Sequence, residues 1–102
     1  MSELETIQQQ LQENRVVLYM KGTPDFPQCG YSANAVNILK QCKVNFFSVN
    51  VLVDPAIREG IKQYGAWPTI PQLYVDGKLI GGSDILSTLF DNGELQEMLS
   101  SS

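Results

Sequence analysis

The sequence predicts an α/β fold in which helices flank a four-stranded mixed sheet. Three observations lead to this prediction. The unbroken apolar run from Val16 to Met20 is too short for a typical helix and suits a strand that is covered on both faces. Asp76-Gly77 separates two short strand-like segments and is a strong signal for a tight antiparallel turn. Helical patterns stand between the strand patterns, which is typical of βαβ units.

The first half of the chain is predicted to run helix, strand, helix, strand. The first helix ends near Asn14, and the apolar stripe that we expect to face the core consists of Leu4, Ile7 and Leu11. After the strand at 16–20, a loop is forced by Gly22, Pro24 and Pro27. Residues 32–41 predict a second helix, with an apolar face formed by Ala35, Ile38, Leu39 and Cys42. A second strand over 46–51 then lies parallel to the first and beside it.

The second half predicts a helix, a hairpin and two further helices. The third helix is delimited by Asp54 as N-cap, Pro55 and Gly65, and its apolar face carries Ile57, Ile61 and Tyr64. Strands at 72–75 and 78–80 pair as the hairpin. Ser83-Asp84 cap a helix that runs to about Asp91, and the last helix starts near Gly93. This order of elements is the thioredoxin-like arrangement, with helices on both faces of the sheet.

Length, charge and hydropathy limit the possible classes of function. The 102 residues predict a single domain over 1–102. A net charge of −4 without any basic run argues against a nucleic-acid partner. No apolar stretch reaches the roughly 18 residues of a spanning helix, and the first residues lack the basic and apolar regions of a signal peptide. We therefore expect no membrane association and a location in a reducing cytoplasm.

Cys29 is the residue on which we expect the chemistry to depend. The chain has no histidine, which excludes imidazole bases and mixed His/Cys zinc sites. Cys29 lies at or just before a helix N-terminus, where free N–H groups and the helix dipole lower the pKa of a thiol, and Lys21 adds positive charge. Ser32 occupies the position at which a Cys-x-x-Cys motif has its second thiol, so exchange needs an external thiol. Cys42 is predicted to be a small core residue on the same helix, roughly 20 Å away.

Three segments of the chain carry a resemblance to a known family. They are KGTPDFPQCGYS at 21–32, WPTIPQL at 67–73 and GGSDI at 81–85. Together they resemble the monothiol glutaredoxins of the Cys-Gly-Phe-Ser class over nearly the whole chain. The long Lys-Gly-Thr-Pro loop is similar to that of members linked to iron–sulfur transfer. Tyr31 stands where the class usually has Phe, which adds a hydroxyl group and leaves the number of metal ligands unchanged.

The resemblance implies a glutathione site. Lys21 and Arg58 match the family's contacts to the glycine-end carboxylate, and a carboxylate-rich tripeptide needs such cations. Ile70 precedes Pro71, which matches the family's cis-proline, so Ile70 would offer its backbone groups to glutathione as an added strand does. The alternative for Arg58 is an ordinary solvated residue on a helix face.

The helix start after Gly81-Gly82 completes this implied site. Ser83 and Asp84 would supply free N–H groups for the γ-glutamyl carboxylate and a carboxylate for its ammonium group. The alternative interpretation is an ordinary helix N-cap, and both can hold together.

Ligand counting favours one assembly. A [2Fe–2S] cluster usually takes four thiolates, and one chain supplies only Cys29 as metal ligand. Two chains and two glutathione molecules make four, so we expect a homodimer that binds the cluster and glutathione together. The resemblance implies a carrier that transfers the cluster to iron–sulfur apoproteins in a bacterial cytoplasm, supports iron and redox homeostasis, and binds BolA-type proteins.

Two other functions would use the same residues. A glutathione-dependent oxidoreductase would attack mixed disulfides with the Cys29 thiolate, because reduction of a glutathione adduct needs only one protein thiol. A binding module would dock BolA-type regulatory proteins through the face that carries Cys29. Rapid turnover of a glutathione mixed disulfide would favour the enzyme, whereas cluster assembly without such turnover would favour the carrier.

Overall fold

The structure is a computed structural model that describes residues 2–100. Helices and strands follow each other in the predicted order. They are α1 (Glu3–Glu13), β1 (Val16–Met20), α2 (Gly30–Gln41), β2 (Phe47–Asn50), α3 (Pro55–Tyr64), β3 (Gln72–Val75), β4 (Lys78–Gly81), α4 (Ser83–Asp91) and α5 (Glu94–Ser100).

The four strands form one mixed sheet in the order β2-β1-β3-β4. β1 is parallel to β2 and antiparallel to β3, so Val17 stands opposite both Phe47 and Tyr74. β3 and β4 are joined by the predicted turn at 76–77, where Asp76 and Gly77 have φ values of 53° and 79°. Positive φ at both positions is the geometry that tight hairpin turns require. The predicted four-stranded mixed sheet is confirmed.

Each face of the sheet has its own hydrophobic core. Leu18 and Met20 of β1 pack into one core together with residues of α2, α4 and α5. Val17 and Tyr19 pack into the other, together with residues of α1 and α3. Successive residues of a strand point to opposite faces, so a strand covered on both sides is apolar at every position. This explains the unbroken apolar run of β1.

Several boundaries differ from the sequence prediction. α2 begins at Gly30 rather than at residue 32, because Cys29 is extended and its carbonyl accepts a hydrogen bond from the N–H of Ala33. Gly and Tyr are weak helix formers, so the helical pattern does not reveal this first turn. β2 covers 47–50 rather than 46–51, since its register with β1 ends at Asn50. β4 extends one residue further than predicted, to Gly81.

The start of α4 differs from the prediction in its cap. Gly82 is the N-cap, and its carbonyl accepts from the N–H of Leu86 at 3.0 Å. Ser83 is the first helical residue, and its hydroxyl oxygen accepts a hydrogen bond from Asn34 instead of capping the helix. The interpretation of Ser83 and Asp84 as an ordinary N-cap is therefore wrong.

Two apolar side chains that were expected to face the core are exposed. Leu4 is 49% exposed and Tyr64 is 38% exposed, whereas Ile7, Ile57 and Ile61 are buried as predicted. Both exposed residues stand in the terminal turns of their helices, and periodicity alone does not show where the cover by neighbouring elements ends. Within residues 2–100, no helix has the length and apolar character needed to cross a membrane.

Candidate functional site

Cys29 is the N-cap of α2. It follows the loop that leaves the carboxyl end of β1, and its backbone is extended, with φ −150° and ψ 137°. Its side chain makes no capping hydrogen bond within residues 2–100, and the first N–H groups of α2 have no partner within the helix. The expectation that Cys29 lies at a helix N-terminus is confirmed.

The pKa of the Cys29 thiol is lowered from its ordinary value. The largest cause is the nearby backbone N–H of Ser32, and partial burial opposes it. The N–H of Tyr31, the charge of Lys21 and the hydroxyl of Ser32 lower the pKa further. All of these groups favour the ionised sulfur, so Cys29 is suited to act as a nucleophile or a metal ligand.

Ser32 does more than replace a second thiol. Its side chain is fully buried, and its oxygen accepts a hydrogen bond from the backbone N–H of Lys21 at 3.0 Å. The same hydroxyl contributes to the lowered pKa of Cys29. Ser32 thus joins the end of β1 to the first turn of α2. The sequence indicates only that a second thiol is missing at this position, and no pattern in it reveals this role.

The loop between β1 and Cys29 is held at its base by Asn50. The Asn50 side-chain oxygen accepts from the N–H groups of Gly22 and Leu52, both at 3.0 Å. Gly22 has φ +94°, and a Cβ there would lie 2.5 Å from the carbonyl oxygen of Phe26. Only glycine fits this position. Lys21 and Cys29 are therefore brought together by a folded loop, not by chance proximity.

A second wall of the site is the segment 67–71 before β3. The Ile70-Pro71 peptide bond is cis, as the resemblance predicts. The side chain of Ile70 belongs to the core beside α1 and α3, so only its backbone is left to face a ligand. Among residues 2–100, no hydrogen bond involves the backbone N–H or carbonyl of Ile70. An unpaired peptide group of this kind can accept an added strand.

The start of α4 forms a third wall. Gly82 packs so closely against 67–71 that a Cβ there would lie 3.1 Å from the carbonyl oxygen of Pro71 and 3.5 Å from Nε1 of Trp67. Because Gly82 provides no side-chain cap, the first N–H groups of this nine-residue helix have no capping partner. Asn34 of α2 donates to the hydroxyl oxygens of Ser83 and Ser87 at 2.8 and 3.0 Å. α2 and α4 are thereby joined next to the site.

These walls enclose an open cavity of about 490 Å³. All six residues predicted as site residues line it: Lys21, Cys29, Arg58, Ile70, Ser83 and Asp84. Further lining residues, which were not predicted as site residues, are Tyr31, Lys62, Trp67, Pro68, Thr69, Pro71, Gly82 and Ile85. Lys62 was recognisable, because it stands four positions after Arg58 and so on the same face of α3.

The cavity contains polar groups without protein partners. Nε of Arg58 and Nε1 of Trp67 are buried and make no hydrogen bond within residues 2–100. Buried donors of this kind are normally paired, so a ligand or water in the cavity is expected to accept from them. Arg58 is therefore not the solvated helix-face residue of the alternative interpretation. Three cationic side chains and one carboxylate line the space, namely Lys21, Arg58, Lys62 and Asp84.

Cys42 has a different environment. It is the C-cap of α2, packs against the core beside α2, α4 and α5, and forms no disulfide. Burial raises the pKa of its thiol. These facts agree with its predicted role as a small core residue, although it is only partly buried. Among residues 2–100, no group of three or more His, Cys, Asp or Glu side chains stands together as a metal site.

Fold and site together define a thioredoxin-like α/β protein with one activated thiol at a helix N-terminus. The glutaredoxin family profile matches residues 16–80, and the chain belongs to the glutaredoxin family. Glutaredoxin 4 of Pasteurella multocida is 50% identical over 99 residues, which cover 97% of this chain and 91% of that protein. A probable monothiol glutaredoxin 2 of Rickettsia prowazekii is 51% identical over 96 residues, covering 94% and 90%. The predicted resemblance to monothiol glutaredoxins is confirmed.

Solved structures support the same assignment. The solution structure of reduced apo GrxS14 from poplar is 49% identical, with a TM-score of 0.81, and the match covers 91% of this chain and 85% of that one. The crystal structure of a buckwheat glutaredoxin–glutathione complex is 25% identical, with a TM-score of 0.85, and the match covers 96% and 87%. The predicted thioredoxin-like fold is confirmed.

Proposed function

We propose that this glutaredoxin carries a [2Fe–2S] cluster between two copies of itself and two glutathione molecules. Cys29 is the only protein ligand from each copy, and the cluster is cargo for iron–sulfur apoproteins. The observation that carries the proposal is the combination of one activated thiol, Cys29, with a buried serine, Ser32, one helical turn further on. This arrangement favours a metal ligand over a dithiol redox pair, because a hydroxyl cannot close a disulfide.

The chemistry of the available donors fits such a cluster. A [2Fe–2S] cluster usually takes four thiolates, and the chain has two cysteines and no histidine. Cys42 stands at the other end of the 12-residue α2 and packs against the core. Each copy therefore offers one thiolate, and two glutathione thiolates complete the set. When bound, the cluster supplies iron and sulfide for transfer, while Cys29 supplies its ionised sulfur.

The glutathione site is proposed at the cavity beside Cys29. Its volume of about 490 Å³ lies within the range of small-molecule pockets. The glycine-end carboxylate would bind Lys21 and Arg58, and the buried Nε of Arg58 has no partner in the described part of the chain. The cysteinyl backbone would pair with the free peptide groups of Ile70. The complex of buckwheat glutaredoxin with glutathione supports this choice of ligand.

The γ-glutamyl end would bind at the start of α4. Its carboxylate would accept from the N–H groups of Ser83 and Asp84, where the dipole of the nine-residue helix favours an anion. The ammonium group would pair with the Asp84 carboxylate. Because the hydroxyl of Ser83 is already bonded to Asn34, Ser83 would contribute its backbone and not its side chain.

The second copy would cover exposed apolar side chains around Cys29. We call Phe26, Tyr31, Leu52 and Val53 the apolar rim; Phe26 is 75% and Val53 is 78% exposed. Phe26 and Tyr31 flank Cys29 along the chain. Leu52 is close to the loop that precedes Cys29, because its N–H and that of Gly22 in this loop donate to the same side-chain oxygen of Asn50. Exposed apolar side chains grouped around a site favour contact with another protein. BolA-type proteins would compete for the same surface in a bacterial cytoplasm.

Reconstitution tests the proposal. Anaerobic addition of iron, sulfide and glutathione should produce the visible absorption of a [2Fe–2S] cluster together with a dimer in sedimentation. Cys29→Ser should abolish both signals and keep the native circular dichroism, because Ser is a good N-cap and Cys29 is partly exposed. Cys42→Ser is the matched control and should retain both. A full-strength cluster formed without any small thiol, or by Cys29→Ser, would refute the shared-ligand assembly.

A second candidate function is glutathione-dependent reduction of mixed disulfides, and the lowered pKa of Cys29 favours it. The Cys29 thiolate would attack the glutathione sulfur of a mixed disulfide, forming a new S–S bond and releasing the substrate thiolate. A second glutathione would then attack this bond, which yields oxidised glutathione and frees Cys29. Rapid turnover of a glutathionylated peptide, without cluster assembly, would favour this function over the carrier.

A further inference from the structure

We propose that Gln72, a buried residue behind the cavity, is a positioning residue that holds the segment 67–70 in the shape needed to bind glutathione. The inference rests on the proposed glutathione site and adds to it a residue that does not touch the ligand. Gln72 is the first residue of β3 and has no exposed surface. It is absent from the residues that line the cavity.

The side-chain amide of Gln72 makes three hydrogen bonds. Its Nε2 donates to the carbonyl oxygens of Trp67 and Thr69, at 3.0 and 3.2 Å. Its Oε1 accepts from the hydroxyl of Tyr74, at 3.0 Å. An amide offers two N–H donors and two acceptor positions, so both donors are used for the cavity wall. The two bonded residues, Trp67 and Thr69, line the cavity themselves.

Between its two ends, this wall makes no other hydrogen bond within residues 2–100. The segment is anchored at its start by the N–H of Trp67, which donates to the carbonyl of Lys62 at 3.0 Å, and at its end by the pairing of Gln72 with Tyr19 in the sheet. Between these anchors stand Pro68 and Pro71, which have no N–H to donate. Within residues 2–100, Gln72 is the only hydrogen-bond partner of the two wall carbonyls.

A buried amide is costly unless it is bonded, and an apolar side chain would suit the core equally well. The polar side chain at position 72 is therefore explained by its hydrogen bonds to the carbonyl oxygens of Trp67 and Thr69. Ile70, whose backbone N–H and carbonyl have no hydrogen-bond partner within residues 2–100, lies directly after Thr69 in this wall. A peptide group binds a ligand more tightly when its orientation is fixed before binding, because less conformational entropy is then lost. Gln72 donates to the carbonyl oxygen of Thr69, which belongs to the same peptide group as the N–H of Ile70. It thereby fixes the orientation of this peptide group.

Two substitutions of Gln72 and one control substitution, Tyr74→Phe, distinguish a role in positioning the cavity wall from a role in stability alone. Gln72→Met keeps the length of the side chain and removes all three hydrogen bonds. Tyr74→Phe removes only the bond on the side away from the wall and is the control. Reduced glutathione is titrated into each folded protein by NMR, and urea unfolding is measured in parallel. Gln72→Met and Tyr74→Phe should both unfold at a lower urea concentration than the wild type. Only Gln72→Met should bind glutathione more weakly, by about tenfold.

Gln72→Glu provides a readout that a merely structural role would not move. Burial raises the pKa of an introduced carboxyl, which in its protonated form still donates one hydrogen bond to the wall and in its ionised form repels both carbonyls. Glutathione affinity should therefore fall with rising pH more steeply than in the wild type. Tyr74 bonds to this position and Tyr19 stands opposite it in the sheet. Both stay neutral, because burial raises the pKa of each, that of Tyr74 to about 12.

The outcomes distinguish the inference from the site on which it rests. Wild-type affinity in Gln72→Met, or an unchanged pH profile in Gln72→Glu, overturns the role of Gln72 and leaves the glutathione site intact. A wild-type protein that does not bind glutathione overturns the site, and the inference with it. If Gln72→Met does not fold, the Gln72→Glu profile decides, since its protonated form retains a donor.

Discussion

The pKa of the Cys29 thiol is lowered chiefly by backbone groups and not by a neighbouring base. The chain has no imidazole, and the largest cause of the lowered thiol pKa is the N–H of Ser32. Such N–H groups are fixed by α2 and carry no charge that a change of pH could remove. These N–H groups therefore lower the thiol pKa at every pH at which the helix is folded.

The lowered pKa predicts how alkylation of the two cysteines depends on pH. The Cys29 rate with iodoacetamide should reach half of its plateau below the pH of about 8.5 that is typical of a free thiol. Cys42 should react slowly and at higher pH, because burial raises its pKa. Intact mass measured over a pH series, with Cys29→Ser and Cys42→Ser as matched variants, gives each rate. A midpoint for Cys29 at or above the ordinary value would contradict the proposed activation.

The same pKa affects stability in a defined direction. The folded-state pKa of Cys29 is lower than that of the unfolded chain. The ionised thiol therefore adds stability that is fully present above the ordinary thiol pKa and is lost as the pH falls through the lowered value. Urea midpoints for the wild type and Cys29→Ser should thus converge on the acidic side of this window.

At the scale of elements, Asn34 joins the two helices that start at the cavity. Its bonds to Ser83 and Ser87 cross from α2 to α4. Asn34→Ala should lower the free energy of unfolding by about 1–3 kcal/mol and weaken glutathione binding. Asn37→Ala is the matched control, because Asn37 is exposed on the same helix and the change in helix propensity is the same. Equal urea midpoints for the two variants would show that the connection between the helices is dispensable.

Arg15 fastens the last helix to the sheet. Its guanidinium donates to the carbonyls of Met98 and Leu99, both at 2.8 Å, and lies 3.4 Å from the carboxylate of Asp76. Arg15→Lys keeps the charge but loses the fork that reaches two carbonyls. It should lower the free energy of unfolding by about 1–3 kcal/mol and speed amide exchange in α5. If the lysine variant is as stable as the wild type, a positive charge at position 15 is sufficient to hold α5, and the two guanidinium hydrogen bonds are not needed.

The sequence was informative where a pattern is local. The apolar run of β1, the Asp54-Pro55 helix start and the 76–77 turn each contain their own signal, and the resemblance named residues that line the cavity. Ties between distant elements were not predictable. Asn34 and Ser83 are 49 positions apart, and nothing in a helical pattern indicates what an amide binds at that distance. Gln72 likewise looks like an ordinary strand residue until its position behind the wall is known.

At the scale of the whole molecule, the stability of the proposed dimer should depend on the apolar rim. Val53→Asp places a charge on the rim without touching the cavity, so the proposed cluster-bound dimer should dissociate about tenfold more readily. Glutathione affinity of the monomer should stay unchanged. Asn45→Asp adds the same charge at an exposed loop before β2 and should have no effect on the dimer. Sedimentation of the reconstituted proteins measures the difference, and an unchanged dimer in Val53→Asp would remove the rim from the interface.

Trp67 is the only tryptophan of the chain, and it lines the cavity. The protein thus contains its own optical reporter, and stopped-flow fluorescence can separate the arrival of glutathione from its departure. Arrival is opposed at long range, since the chain carries a net charge of −4 and glutathione is also anionic. At the proposed glutathione site, the cations in the cavity would slow the departure of the ligand, and salt screens charges over about 10 Å at 0.1 M. Added salt should therefore shorten the residence time of glutathione while leaving its arrival rate equal or slightly faster.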